Sequence, residues 1–162
     1  MSLIRKKDSW DGLKRALSNV AQQEVYIGVP EEKNSERGEH ITNAELLFIH
    51  TNGSPVNHIP PRPVLEPAIE ANREKLSGML KAAANLALDG KEAAAREQLE
   101  KTGMAGQNMA RAWFTDPRNG WPENAPSTYK RKLKKGSTAP RPLIDTGELR
   151  KSITYVVRKK GK

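Results

Sequence analysis

Cysteine is absent from the 162 residues. That excludes a disulfide scaffold, a thiolate metal site and a cysteine nucleophile. Aromatic residues number only eight, which argues against a stacking platform for nucleic-acid bases. Hydrophobic residues make up 36% of the chain. That is low for a self-sufficient globule, so a subunit that borrows burial from partners is expected. No run approaches the roughly 18 apolar residues of a membrane helix. Residues 1–7 carry basic side chains but no apolar h-region, so no secretory signal is expected, and a soluble protein made in a cytoplasm follows. The three histidines, His40, His50 and His58, stand ten and eight residues apart, which is no zinc pattern. No cofactor is expected either: a glycine-rich phosphate loop, a Gly-x-Ser-x-Gly elbow and a His-Glu-x-x-His motif are all missing.

What the chain does have is concentrated positive charge. The formal net charge is +9, and residues 129–162 hold 12 Lys/Arg against Asp145 and Glu148 alone. Residues 1–128 are close to neutral. The densest part is Lys130, Arg131, Lys132, Lys134, Lys135 and Arg141, interleaved with Gly136, Pro140 and Pro142. Such a segment attracts a polyanion: DNA, anionic lipid or an acidic protein face. With so little apolar surface it reads as a loop, mobile until bound. A plain solvated charged loop is the competing reading.

The pattern along the chain gives an α+β fold. Asp8 or Ser9 is placed to cap a helix whose apolar face is Trp10, Leu13, Leu17 and Val20. Residues 24–29 read as a β-strand ended by Pro30. Thr42 and Glu45 form a capping-box pattern for a short helix to about His50. Residues 51–55 are a turn by composition. A proline-rich arm follows near 55–67, with three prolines in the four residues 60–63, stiff and extended. Proline is then absent until Pro117. Ile69, Leu76, Leu80, Ala83 and Ala87 form one helical stripe, and Leu99, Met109 and Trp113 a second. One long helix broken near Gly90, or two consecutive helices, are both open. Gly103, Ala105 and Gly106 would let another backbone approach. Residues 117–142 hold five prolines and the basic cluster and read as a long basic loop. Asp145 and Glu148 stand at capping-box spacing for a helical turn. Residues 153–157 read as a last strand, able to pair with the strand at 25–29 in a small antiparallel sheet. A single domain over 1–162 accommodates all of this.

Asp145-Thr146-Gly147 is the Asp-Thr-Gly triplet of aspartic proteases. That chemistry needs two carboxylates sharing a proton at close range. The 15 residues after Gly147 are polar and basic and offer no flap or supporting strand. The structural alternative is that Asp145 caps a helical turn and Gly147 opens it, and no enzyme is expected.

Four segments carry a resemblance. They are residues 44–53, the Pro60-Pro61-Arg62-Pro63 arm and its continuation to Ile69, Trp121-Pro122 with the stretch to Lys132, and residues 142–153 with Asp145, Thr146, Gly147 and Leu149. In order and spacing they resemble the phage virion morphogenesis family, the tail-completion or neck proteins of long-tailed bacteriophages. The likeness covers roughly residues 24–157, with Thr51 where such families often carry an acidic residue. The resemblance implies a structural protein of the head–tail junction. It implies a ring homo-oligomer around the DNA channel, a hexamer or, on the portal side, a dodecamer. Its partners would be neighbouring neck, connector or tail-terminator proteins, with non-specific contact to packaged DNA. It would be made in the cytoplasm of the infected bacterium and reside in the virion, with no membrane or small-molecule substrate. The competing class is a free basic nucleic-acid-binding protein, which the basic segment favours and the shortage of aromatics opposes.

Overall fold

From Leu3 to Ala21 the chain is helical, α1. This computed structural model describes residues 3–34, 36–37, 41–138 and 140–161; His40 lies outside them. The strand β1 (Gln23–Gly28) follows, then the two-residue strands β2 (Glu36–Arg37) and β3 (Ile41–Thr42) and the helix α2 (Asn43–Asn52). The helices α3 (Leu65–Glu70), α4 (Arg73–Leu88), α5 (Glu92–Trp113), α6 (Pro126–Lys134) and α7 (Glu148–Ser152) come next, and the strand β4 (Thr154–Lys159) is last. β1 pairs with β4 in a small antiparallel sheet, and β2 with β3 in another. The fold is α+β, as the sequence pattern indicates.

The chain forms two compact units. The first comprises Met1–Tyr26, Asn72–Gly106 and Tyr155–Lys162. Alanine dominates its interior: Ala16 on α1, Ala83 and Ala87 on α4 and Ala95 on α5 are all buried, with Leu76 and Leu99. Small side chains let helix axes approach closely, and α1 packs on α4 through this surface. The face expected of α1 is therefore corrected. Trp10 and Leu17 are exposed and the buried residue is Ala16, because the alanine-lined α4 leaves room for a methyl and not for an indole. Asp8 and Ser9 lie inside α1 rather than at its cap.

Asp89-Gly90 does separate two helices. Gly90 takes φ +74°, its N–H donates to the Ala87 carbonyl, and the Lys91 N–H donates to the Leu86 carbonyl at 2.9 Å. This is a Schellman turn, which needs a residue without Cβ strain at that point. Gly103 does admit a close neighbour, but the neighbour is a side chain, not a backbone. A Cβ there would lie 2.2 Å from the Tyr155 ring. Across the sheet, Arg158 sits over the Tyr26 ring at 4.3 Å.

The second unit comprises Ile27–Ala71 and Gln107–Thr154. Its core is Leu47, Val64, Ala68, Ala110, Trp113, Phe114, Leu149 and Ile153. The α2 capping box is present: Thr42 Oγ1 accepts from Glu45 N–H, and Thr42 N–H donates to the Glu45 carboxylate at 2.9 Å. Gly53 ends α2 at φ +74°, where a Cβ would stand 2.8 Å from the Ile59 carbonyl oxygen. The Ser54–Ile59 bridge then returns the chain into the proline arm.

Two expectations fail in this unit. Residues 117–142 are not one long loop: a 3-10 turn occupies Pro117–Asn119 and α6 occupies Pro126–Lys134. Pro126 at the first turn is pre-set for a helix start, and the apolar stems of the lysines carry the helix on. The Asp145–Glu148 capping box is absent. Gly147, in the left-handed region at φ +78°, is the N-cap residue of α7 with no side-chain cap, so the Glu148 N–H turns to Thr146 Oγ1 at 3.4 Å. Gly147 opens the turn, as expected; Asp145 does not cap it.

Candidate functional site

The extended Pro60–Pro63 segment has few N–H groups to offer and cannot join a ladder. Its position is fixed by side chains instead. Arg62 is 7% exposed. Its Nε and Nη2 donate to the Pro122 carbonyl at 3.1 and 2.9 Å, and Nη2 also donates to the Glu123 carbonyl at 2.9 Å. The planar fork of a guanidinium suits two neighbouring carbonyl oxygens of a segment that lies outside helix and strand. The Arg62 N–H itself donates to the His50 carbonyl at 2.5 Å. Burial lowers the Arg62 pKa from its usual value, with Glu123 acting in the opposite direction.

Trp121 completes the clasp from the other side. Its Nε1 donates to the Pro63 carbonyl at 3.0 Å, and its ring meets Phe114 edge-on, centroids 5.8 Å apart. The arm and the Trp121-Pro122 segment are thus joined at both ends by side chain to backbone bonds. Asn124 Nδ2 extends the contact to the Pro140 carbonyl at 3.2 Å.

α6 divides its cations into two kinds. Lys132 points inward and is 6% exposed. Its ammonium donates to the carbonyls of Arg141 and Ile144, both at 2.6 Å. Burial lowers its pKa, and Asp145 partly opposes that. Between those two carbonyls Leu143 takes φ +58°, a conformation that costs an L-residue about 1–2 kcal/mol; the ammonium holds the turn closed. Lys132 is therefore an internal tie, which corrects its expected role as a partner or DNA contact. Lys130, Arg131 and Lys134 on the same helix, and Lys135 at its C-cap, are exposed. Arg141 is exposed too, with Nη1 3.4 Å from the Thr115 carbonyl.

An open concavity of about 1030 Å³ lies in this unit, lined in part by His50, His58, Arg62, Arg131, Asp145 and Thr146. Arg62, Asp145, Thr146, Gly147 and Leu149 thus share one wall system with two cations of α6, Arg131 and Lys132. Lys130, Lys134, Lys135 and Arg141 stand outside it. Burial and the neighbouring Arg62 hold His50 below the ordinary histidine range, and its Nδ1 is buried without a hydrogen bond. Asp145 is exposed, 3.6 Å from Lys135. Leu149 belongs to the core. No group of three or more metal-ligating side chains occurs among the described residues. No helix among them is long and apolar enough to cross a membrane.

Three features escaped the sequence reading. Arg111 ties α5 to the end of α7, donating from Nε to the Ile153 carbonyl at 2.8 Å and from Nη2 to the Lys151 carbonyl at 2.9 Å. Phe48, on α2, is 70% exposed beside Ile41. His50 lines the concavity. Phe48 and His50 lie within one turn of each other, and only the helical period marks which faces out. Comparison with family models, curated proteins and solved structures finds no match to this chain.

Proposed function

We propose that the chain is a structural virion protein of a long-tailed bacteriophage, acting at the head–tail junction as a neck or tail-completion subunit. Copies form a closed ring around the DNA channel, a hexamer or dodecamer, and neighbouring connector or tail-terminator proteins complete their burial. The role is one of assembly, not catalysis.

One observation carries the reading. The four segments with the phage resemblance lie in the second unit and are bonded in a chain there: the Arg62 N–H to the His50 carbonyl, the Arg62 side chain to the Pro122 and Glu123 carbonyls, the Trp121 side chain to the Pro63 carbonyl, and the Lys132 ammonium to the Ile144 carbonyl. A set of segments that together build one module is what a shared architectural role requires. Exposed large apolar side chains, Phe48 at 70% and Val56 at 89%, suit a subunit whose surface is completed by neighbours. A clasped, pre-shaped arm lowers the ordering cost of such contacts.

The reading is tested by removing the gene product from an infecting phage. Filled heads and finished tails that fail to join are expected. Normal yields of infectious particles would refute it.

A further inference from the structure

The exposed side of α6 carries Lys130, Arg131 (which also lines the open concavity) and Lys134, the C-cap residue Lys135 follows them, and Lys132 is turned away into the fold. Lys130 and Lys134 are four residues apart, as are Arg131 and Lys135, so the four cations form one arc that runs along α6 onto its C-cap residue. Like charges at that spacing repel one another and weaken the helix they sit on. Nothing nearby neutralises them as a set: among the described residues Asp145 is the carboxylate paired with this arc, at 3.6 Å from Lys135, with both side chains more than half exposed. An arrangement that stores repulsion on a helix held in place by a buried lysine is one that a polyanion relieves.

The density of charge selects the polyanion. Five residue steps of about 1.5 Å put the four cations within about 7.5 Å of helix axis. Duplex DNA offers one phosphate per about 1.7 Å of its axis, or about four over the same length. A duplex presents that density of negative charge along its whole length and at every sequence, which makes its phosphate backbone the fitting polyanion. Tyr129 is the one aromatic on the helix, 44% exposed, too little for reading or stacking successive bases. We propose that the outer arc of α6 is a sequence-independent contact for the phosphate backbone of duplex DNA, made by Lys130, Arg131, Lys134 and Lys135. This deepens the assembly reading by naming what the basic segment meets, and rests on it for its biological setting alone.

The test is binding of the isolated full chain to a labelled duplex of random sequence, followed by anisotropy across a salt series. Two variants are compared at equal charge. One carries Lys130→Gln, Arg131→Gln, Lys134→Gln and Lys135→Gln. The other carries Lys75→Gln, Lys81→Gln, Lys91→Gln and Arg96→Gln, four exposed positions in the first unit. For the α6 variant the slope of log affinity against log salt should flatten by about 0.9 per lost cation, and low-salt affinity should fall about tenfold or more. The control variant should stay close to the parent. The pair Lys130→Gln with Lys134→Gln should flatten the slope by about half as much, which keeps the test alive if the fourfold variant melts early. No binding by the parent chain at low salt, an unchanged slope in the α6 variants, or an equal loss in the control would overturn the proposal. So would tighter binding to poly-glutamate than to the duplex, which would assign the arc to an acidic protein. Because no virus particle enters this measurement, its failure is separate from absence of the chain from virions.

Discussion

The indole N–H of Trp121 donates to the backbone carbonyl of Pro63, across 58 positions of sequence, at 3.0 Å. The bond holds the exit of the proline arm, and the Arg62 fork holds the residue before it. Trp121→Phe keeps an aromatic ring beside Phe114 but removes the donor and one ring of the indole, which packs against the core. A loss of about 1–3 kcal/mol in unfolding free energy is expected, the hydrogen bond and the lost packing together. Arg62→Met removes the fork and strands two carbonyls, at about 3 kcal/mol. Arg62→Lys should recover less than half of that, since an ammonium cannot span both oxygens in a plane. Urea denaturation measures all three. Equal stability of the Lys and Arg forms would show that charge, not shape, holds the arm.

Gly103 and Gly78 make a matched pair. Both sit inside helices, where Ala is better than Gly by about 1 kcal/mol. A Cβ at Gly78 meets nothing within 4 Å, whereas one at Gly103 meets the Tyr155 ring at 2.2 Å. Gly78→Ala should raise the melting temperature. Gly103→Ala should lower it, the overpacking cost of about 1–3 kcal/mol exceeding the propensity gain. Stabilisation by both would mean that Tyr155 does not lie on α5.

Lys132 and its neighbours on α6 should separate cleanly. Lys132→Met leaves the carbonyls of Arg141 and Ile144 without their donor and should cost about 2 kcal/mol, net of the relief of burying one charge fewer. Hydrogen exchange should quicken across residues 141–145. Lys130→Gln and Lys134→Gln, on exposed positions, should leave that exchange unchanged and raise stability by no more than about 0.5 kcal/mol as their repulsion is relieved. Slower exchange, or none of the loss, in Lys132→Met would contradict the internal tie.

His50 gives the fold a dependence on acid. Its folded pKa lies below the ordinary 6.5, through burial first and Arg62 second. The unfolded chain therefore binds the proton more tightly, and stability present above about pH 6.5 is lost as pH falls toward the folded value. His50→Gln should reduce the drop in urea midpoint between pH 7.5 and 5.5. An identical drop in both proteins would remove His50 as its source.

Local signals were legible in the sequence wherever short-range chemistry decides the outcome. The Thr42–Glu45 capping box, the Asp89-Gly90 break and the existence of the first and last long strands follow from neighbours or simple period, whereas the pairing of those strands is a long-range match that the sequence allows and the fold makes. Misreadings came where tertiary packing overrules local pattern. Trp10 and Leu17 make an apolar face on paper, yet alanines on α4 select Ala16. Around 117–142 the miss was local instead: proline content reads as an unbroken loop, yet Pro126 stands in the first turn of a helix, where proline is favoured. Within the basic cluster, composition treats six cations alike. Only the carbonyls of Arg141 and Ile144, presented by the turn at Leu143, single out Lys132.

The most direct test of the head–tail assignment is the position and copy number of this chain in intact, purified particles, read by electron cryomicroscopy with mass spectrometry of the same preparation. A hexameric or dodecameric ring between head and tail, with the α6 arc toward the DNA, is the expected result. Particles that are complete and infectious yet contain none of the chain would contradict it.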